Sequence, residues 1–219
     1  TDFSDLIWNS LNTIEVLGAN TTGITNMHEM FANCSSLTKV ALFDTSSVSD
    51  MSRMFVACTL LTSIPLFDTS SATNMSYMFE TCRNLTSIPL FDTSNATHMV
   101  GTFRHCSELT TVPLFDTSKL ERMDEMFGGC TSLTNVPLFD TSNVTLMLNA
   151  FINCSSLTSI PLFNTSKVTN MERMFYNCYK VESGALALYQ QVSSQTNPPT
   201  NHEKTFYDWN ILIYAKHVL

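Results

Sequence analysis

Cys34, Cys58, Cys82, Cys106, Cys130, Cys154 and Cys178 stand 24 residues apart, six equal intervals without an insertion or deletion. A phenylalanine precedes every cysteine by three positions, from Phe31 to Phe175, and a methionine by seven, from Met27 to Met171. A leucine follows the first six cysteines at the third position, then Val or Ile, then a tract such as Leu66-Phe67-Asp68-Thr69-Ser70. Fixed periods of this size belong to solenoids, propellers and arrays, because each unit is too small to bury its own apolar face and must stack on its neighbours.

The contents of the period choose among these. A propeller blade needs about 40 residues and four strands. Here each unit offers one short strand, as in Leu61-Thr62-Ser63-Ile64-Pro65-Leu66, and one helix-like turn, as in Met75 to Cys82. In that turn Met75, Met78, Phe79 and Cys82 fall at i, i+3, i+4 and i+7, one face of a helix. In the strand, Leu61 and Ile64 begin the buried set and Leu66 follows at period two, although the Leu66-Phe67 pair leaves open which of the two faces the core. Asp-Thr-Ser is turn chemistry, with short polar side chains that bond nearby backbone amides. The expected fold is an α/β repeat solenoid of leucine-rich-repeat type: 24-residue coils, one short strand and one short helical turn per coil, capped at both ends.

The motif Phe67-Asp68-Thr69-Ser70-Ser71-Ala72-Thr73-Asn74-Met75, followed by Met78-Phe79 and Cys82, resembles a known repeat. It is similar to the BspA-type leucine-rich repeats of bacterial surface proteins. The likeness is closer to the Phe-Asp-Thr-Ser-x-Val-Thr-x-Met repeat of lipoprotein-associated surface proteins in mycoplasmas and gut bacteria. It extends over about residues 14 to 183. It implies an extracellular or cell-surface location and adhesion to host proteins, and brings no catalytic or ligand residues with it; a binding or adhesion module for a host protein or glycan is the expected function.

The ends are read by shifting the pattern. Phe3, Leu6, Ile7 and Ser10 fall at the places of Met27, Met30, Phe31 and Cys34, so residues 1–15 are expected to be a degenerate capping repeat, with Trp8 as added apolar cover. The solenoid then occupies 16–183. Residues 184–219 form the C-terminal cap, in which Ala185, Leu186, Tyr189 and Val192 share a helix face that stops before Asn197-Pro198-Pro199. Phe206, Tyr207, Trp209, Ile211, Ile213 and Tyr214 make a dense apolar tail. End repeats must hide the open face of the stack.

A formal charge of −8 argues against nucleic acid and anionic membrane surfaces as partners. No apolar run approaches a membrane span, and no signal peptide is read at Thr1-Asp2-Phe3-Ser4. Only 14% of residues are charged, so Ser, Thr and Asn must cover most of the surface.

Candidate chemistry is sparse. Cysteines one per coil lack the clustered spacing of a metal site. Coils about 4.8 Å apart hold Cβ atoms farther apart than a relaxed disulfide wants, so free buried thiols are expected. Asp44, Asp68, Asp92, Asp116 and Asp140 could suggest calcium, but Asn164 continues the row without charge, which suits a turn cap better. The histidines His28, His98, His105, His202 and His217 do not recur by repeat, and the His98 position reads as variable and exposed. No serine elbow or glycine-rich phosphate loop occurs. The chain is therefore expected to be no enzyme, to need no cofactor and to hold no metal. What does vary from coil to coil is the outer face of the helix-like turn. Arg53, Tyr77, Glu80, Arg83 and Arg104 are the contiguous candidates there for ligand contacts, since Arg and Tyr are typical anchors. The competing expectation is a structural spacer inside a larger surface protein or fibre.

Overall fold

A computed structural model describes residues 21–200 and 202–206. Successive 24-residue coils stack in register, joined by a column of parallel bridges that runs Asn26, Asp50, Asn74, His98, Arg122, Leu146 and Asn170. The chain has the expected solenoid plan, but the backbone path differs from the expectation in both of its elements.

The Met27–Cys34 type of segment is no helical turn. Glu29 and Asn33 have φ of 56° and 62°, and their equivalents in each later coil share the left-handed conformation. Amides of alternate residues then point along the stack: Met27, Glu29, Phe31 and Asn33 donate to the carbonyls of Asp50, Ser52, Met54 and Val56 in the next coil. The intervening amides of Met30, Ala32 and Cys34 close tight turns onto Met27, Glu29 and Phe31. A helix would keep these amides within the segment; here half of them bind coil to coil. Each non-glycine left-handed residue costs roughly 1–2 kcal/mol, which the inter-coil hydrogen bond and the packing beneath it offset. The apolar spacing was still informative, since Met27, Met30, Phe31 and Cys34 are all buried.

The expected strand is also absent: among the described residues only isolated bridges occur. Amide rungs along this segment are few, such as Thr134 to Thr110 at 3.2 Å and Thr158 to Thr134 at 3.0 Å. Pro65, Pro89, Pro113, Pro137 and Pro161 form a column without an N–H, and no ladder can run through it. Past each proline the chain turns a sharp corner, in which the Phe67 amide donates to the Pro65 carbonyl two residues back. Leu66 sits at the apex of that corner. It is 60% exposed, whereas Phe67 is 2% exposed. The corner breaks the period-two alternation, so the inward residue is Phe67 and the placing of Leu66 in the buried set is corrected.

The core is a set of columns. Phe31 to Phe175 form a column of near-parallel, offset rings, with Phe55 and Phe79 centroids 5.7 Å apart and planes within 1°. Phe43 to Phe163 form a second column beside the first. Buried Thr45, Thr69, Thr93, Thr117 and Thr141 each donate a hydroxyl to the backbone carbonyl of the Asp or Asn one coil on, at 2.7–2.9 Å. That satisfies polar backbone inside an apolar stack.

Beyond Cys178 the repeat lengthens. Ser183 bridges Ser159, and helix α1 (Ala185–Ser193) starts at Gly184, whose φ is 89°. A Cβ there would collide with the Ile160 carbonyl, so this close approach of two backbones requires glycine. Ala185, Leu188 and Val192 form the buried face of α1, and Tyr189 packs partly against the core. Leu186, expected on the inner face, is 44% exposed because Leu188 takes that place one turn before Val192. Gln191 Nε2 and Gln195 Nε2 both donate to Thr165 Oγ1, closing the threonine column. A 3-10 turn, His202–Phe206, lies across the seventh coil: the Phe175 amide donates to the Thr205 carbonyl, and Thr205 Oγ1 donates to the Met171 carbonyl. The expected N-terminal cap, with Phe3, Leu6, Ile7, Trp8 and Ser10, lies outside the described residues, as does the tail from Tyr207 onward.

Candidate binding surface

The outer residues of the tight-turn segment stand in columns, one residue per coil. The left-handed position carries Glu29, Arg53, Tyr77, Gly101, Glu125, Asn149 and Arg173 in order. Stacking at the coil repeat makes residues 24 apart neighbours. Arg53 Nη1 therefore meets Glu29 Oε1 at 3.2 Å, and the Arg53 guanidinium lies over the Tyr77 ring, 5.5 Å from its centroid. The Tyr77 ring lies in turn across Gly101, where any Cβ would strike it. Glycine at 101 both accepts φ of 58° and leaves the notch that the ring fills.

A second column runs beside the first and contributes Glu80 and Arg104. Arg104 Nη1 pairs with Glu80 Oε1 at 2.7 Å, and its Nε pairs with Glu125 Oε2 at 2.9 Å. One guanidinium thus clamps carboxylates from the coil before and the coil after. Tyr77 ionises above its ordinary value, mainly because it is partly buried and further because of Glu125 and Glu80; Arg104 and Arg53 oppose this. Of the five residues expected here, Arg53, Tyr77, Glu80 and Arg104 form one cluster. Arg83 lies apart, lining a shallow groove of about 320 Å³ with His105, Ser107, Gly129, Thr131 and Asn153. Burial and the nearby Arg104 lower the His105 pKa.

Glu29, Gly101 and Glu125 complete the cluster and were not singled out from the sequence. Their spacing of 24 or 48 residues from Arg53 and Tyr77 was the available signal. A second groove, about 520 Å³, is lined by Thr97, Lys119, Glu121, Asn143, Thr145 and Lys167. Its lysines are engaged, Lys119 Nζ with Asn95 Oδ1 and Lys167 Nζ with Asn143 Oδ1, both at 2.6 Å.

The other candidates resolve as structure. Asp92 Oδ1 accepts from the Ser94 amide at 3.0 Å and from Ser94 Oγ at 2.7 Å. Asp44 and Asp68 do the same for Ser46 and Ser70, and Asn164 accepts from the Ser166 amide. These hydrogen bonds hold the carboxyls of Asp44, Asp92, Asp116 and Asp140 below their ordinary pKa. All seven cysteines are buried thiols outside any disulfide. His98 is half-buried in the bridge column, with Nδ1 2.9 Å from Thr97 Oγ1. The position read as exposed is therefore a backbone-pairing site, and in other coils Asn26, Asp50, Asn74 and Asn170 use it to cap the amide two residues on. Among the described residues no three His, Cys, Asp or Glu side chains gather as a metal site, and no helix is long and apolar enough to cross a membrane.

A solved structure shares this architecture. A leucine-rich repeat protein from Bacteroides ovatus superposes with a TM-score of 0.57 at 20% identity, over 73% of this chain and 40% of that one. The chain thus spans less than half of that protein's length, and the likeness establishes a leucine-rich-repeat solenoid fold. A leucine-rich cell surface protein from Faecalibacterium prausnitzii gives 0.47 at 19% identity, over 84% of this chain and 62% of that one. No curated protein matches the sequence. One family profile matches residues 2–113 and again 97–210, nearly the whole chain, and by that match the chain belongs to the family described as Mycoplasma protein of unknown function, DUF285.

Proposed function

We propose that this chain is a non-enzymatic binding module, displayed outside the cell or on its surface, that engages a host protein or glycan through the varied face of its tight-turn columns. One observation carries the reading. The solenoid repeats the same buried set coil after coil, yet on this face it sets two contacting pairs, Arg53 with Tyr77 and Glu80 with Arg104, close enough for Glu80 and Arg104 to act on the Tyr77 hydroxyl. Specific recognition needs such a non-uniform array, whereas the Thr62, Thr86, Thr110 and Thr134 column offers one group repeatedly. The surface location rests on the likeness of the Phe-Asp-Thr-Ser repeat to that of bacterial surface proteins.

A spacer is the second reading, and a specific observation favours it: Arg104 and Arg53 are already paired within the surface. The exposed Arg53–Glu29 pair contributes about 0–1 kcal/mol, so Arg53 is free to exchange partners, whereas Arg104 is held more firmly by Glu80 and Glu125, which are only 18% and 27% exposed. The test is binding of the chain to immobilised host extracellular-matrix proteins and to a glycan array. Arg53→Ala with Tyr77→Ala should weaken any specific binding about tenfold, or about 1.4 kcal/mol. Binding that survives this pair but is lost when Thr86 and Thr110 are made bulky would move the site to the threonine column. No specific binding to either panel would favour the spacer.

A further inference from the structure

Leu42, Leu66, Leu90, Leu114, Leu138 and Leu162 are 51–64% exposed and stand in one column at the apex of the coil corner. An isolated exposed leucine is ordinary, but six on successive coils form an unbroken apolar ridge. At roughly 100 Å² of open surface per leucine the ridge presents about 600 Å². That is the upper end of the largest apolar patch on a typical monomer, about 300–600 Å². It approaches the ~800 Å² that each partner gives to a standard interface.

We propose that this ridge is the contact surface of a homodimer in which two solenoids lie parallel, each coil against the same coil of its partner. The period selects the occupant. A ridge whose rungs repeat at the coil spacing is complemented along its whole length only by a surface with that spacing, and a second copy has it. An irregular partner would match one or two rungs.

Charge selects the orientation. One flank of the ridge carries Asp44, Asp68, Asp92, Asp116 and Asp140, all exposed. The other flank carries Lys39, Ser63, Ser87, Thr111, Asn135 and Ser159. A two-fold axis parallel to the stack sets each acidic flank against the partner's neutral, Lys39-bearing flank. An antiparallel pair would oppose the two acidic rows, and like-charge juxtaposition across an interface is unfavourable. The contact area is at the small end for stable complexes, so association is concentration-dependent.

Sedimentation of the full chain up to roughly 100 µM, a range suited to an interface of this size, should show monomer converting to dimer. Leu90→Glu with Leu114→Glu should weaken the dimer at least tenfold while leaving the circular-dichroism melt of the dilute monomer unchanged, because in the monomer both side chains are mostly in solvent. Leu42→Cys should then form a disulfide with Leu42→Cys of a second copy on mild oxidation. A mixture of Leu42→Cys and Leu162→Cys chains should give little of the mixed species. Wild type that stays monomeric, a charged variant that dimerises as before, or dominant mixed 42–162 cross-links would overturn the proposal. So would monomer that instead floats with phosphatidylcholine vesicles through the same leucines.

Discussion

The Cys58 thiol donates to the Phe31 carbonyl of the preceding coil, with Sγ 3.1 Å from the oxygen. Cys82, Cys106, Cys130, Cys154 and Cys178 repeat the contact at 3.0–3.1 Å, each to the phenylalanine 27 residues before it. A cysteine is small enough for this buried column and still carries a weak donor for a carbonyl that apolar side chains surround.

Thiol chemistry follows from that burial. Burial pushes Cys58 and Cys178 up to about 12 from an ordinary 9.0, and it raises Cys82, Cys106, Cys130 and Cys154 strongly. The unfolded chain loses these protons first as pH rises. Stability is therefore full below pH about 9 and falls as pH climbs towards the folded values. Thiol titration at neutral pH should find seven free thiols in denaturant and few without it. Fewer than five in denaturant, in the absence of reductant, would contradict the free column.

The aspartate caps make the opposite pH prediction. Hydrogen bonds from the serine two residues on depress Asp44, Asp92, Asp116 and Asp140. Their contribution is present above the ordinary carboxylate pKa of about 4 and is lost as pH falls through the lower folded values. Asp92→Asn keeps the acceptor oxygen and should barely change the melting temperature, whereas Asp92→Ala should lower it by a few degrees. Millimolar calcium should leave the wild-type melt where it is; a rise of several degrees would make the column an ion site.

Phe79→Ala should cost about 3–5 kcal/mol. The ring stacks on Phe55 at 5.7 Å and Phe103 at 5.9 Å and also touches Phe91, so neighbouring coils cannot collapse into the gap without losing register. Thr117→Val is nearly isosteric but strands the Asp140 carbonyl, which its hydroxyl meets at 2.9 Å, and should cost about 1–3 kcal/mol. Urea unfolding of both variants measures these losses.

Gly101→Ala combines two penalties that a double-mutant cycle separates. The left-handed φ alone should cost about 1 kcal/mol, and collision of the new methyl with the Tyr77 ring adds to it. In a Tyr77→Ala background the collision term should vanish and the backbone term remain. Equal costs in both backgrounds would mean that the ring does not rest on Gly101.

Much of the architecture was legible because burial in a solenoid is a column property. Met27, Phe31, Cys34 and Leu37 recur every 24 residues, and a residue type repeated at every coil marks an inward position whatever the local conformation. The same logic exposed the varied face and its Arg53, Tyr77, Glu80 and Arg104. Conformation was not legible in this way. Spacing of i, i+3, i+4, i+7 suits a helix, but a run of tight turns with Glu29 and Asn33 left-handed buries the same residues. Inter-coil bonds, such as Phe31 to Met54, and the packing beneath them make that backbone favourable. Leu66 and Phe67 are adjacent apolar residues of similar size, and neither propensity nor period tells them apart. The corner closed by the Phe67 amide on the Pro65 carbonyl sends one to solvent and the other to the core, and that corner is set by the packing of each coil on the next.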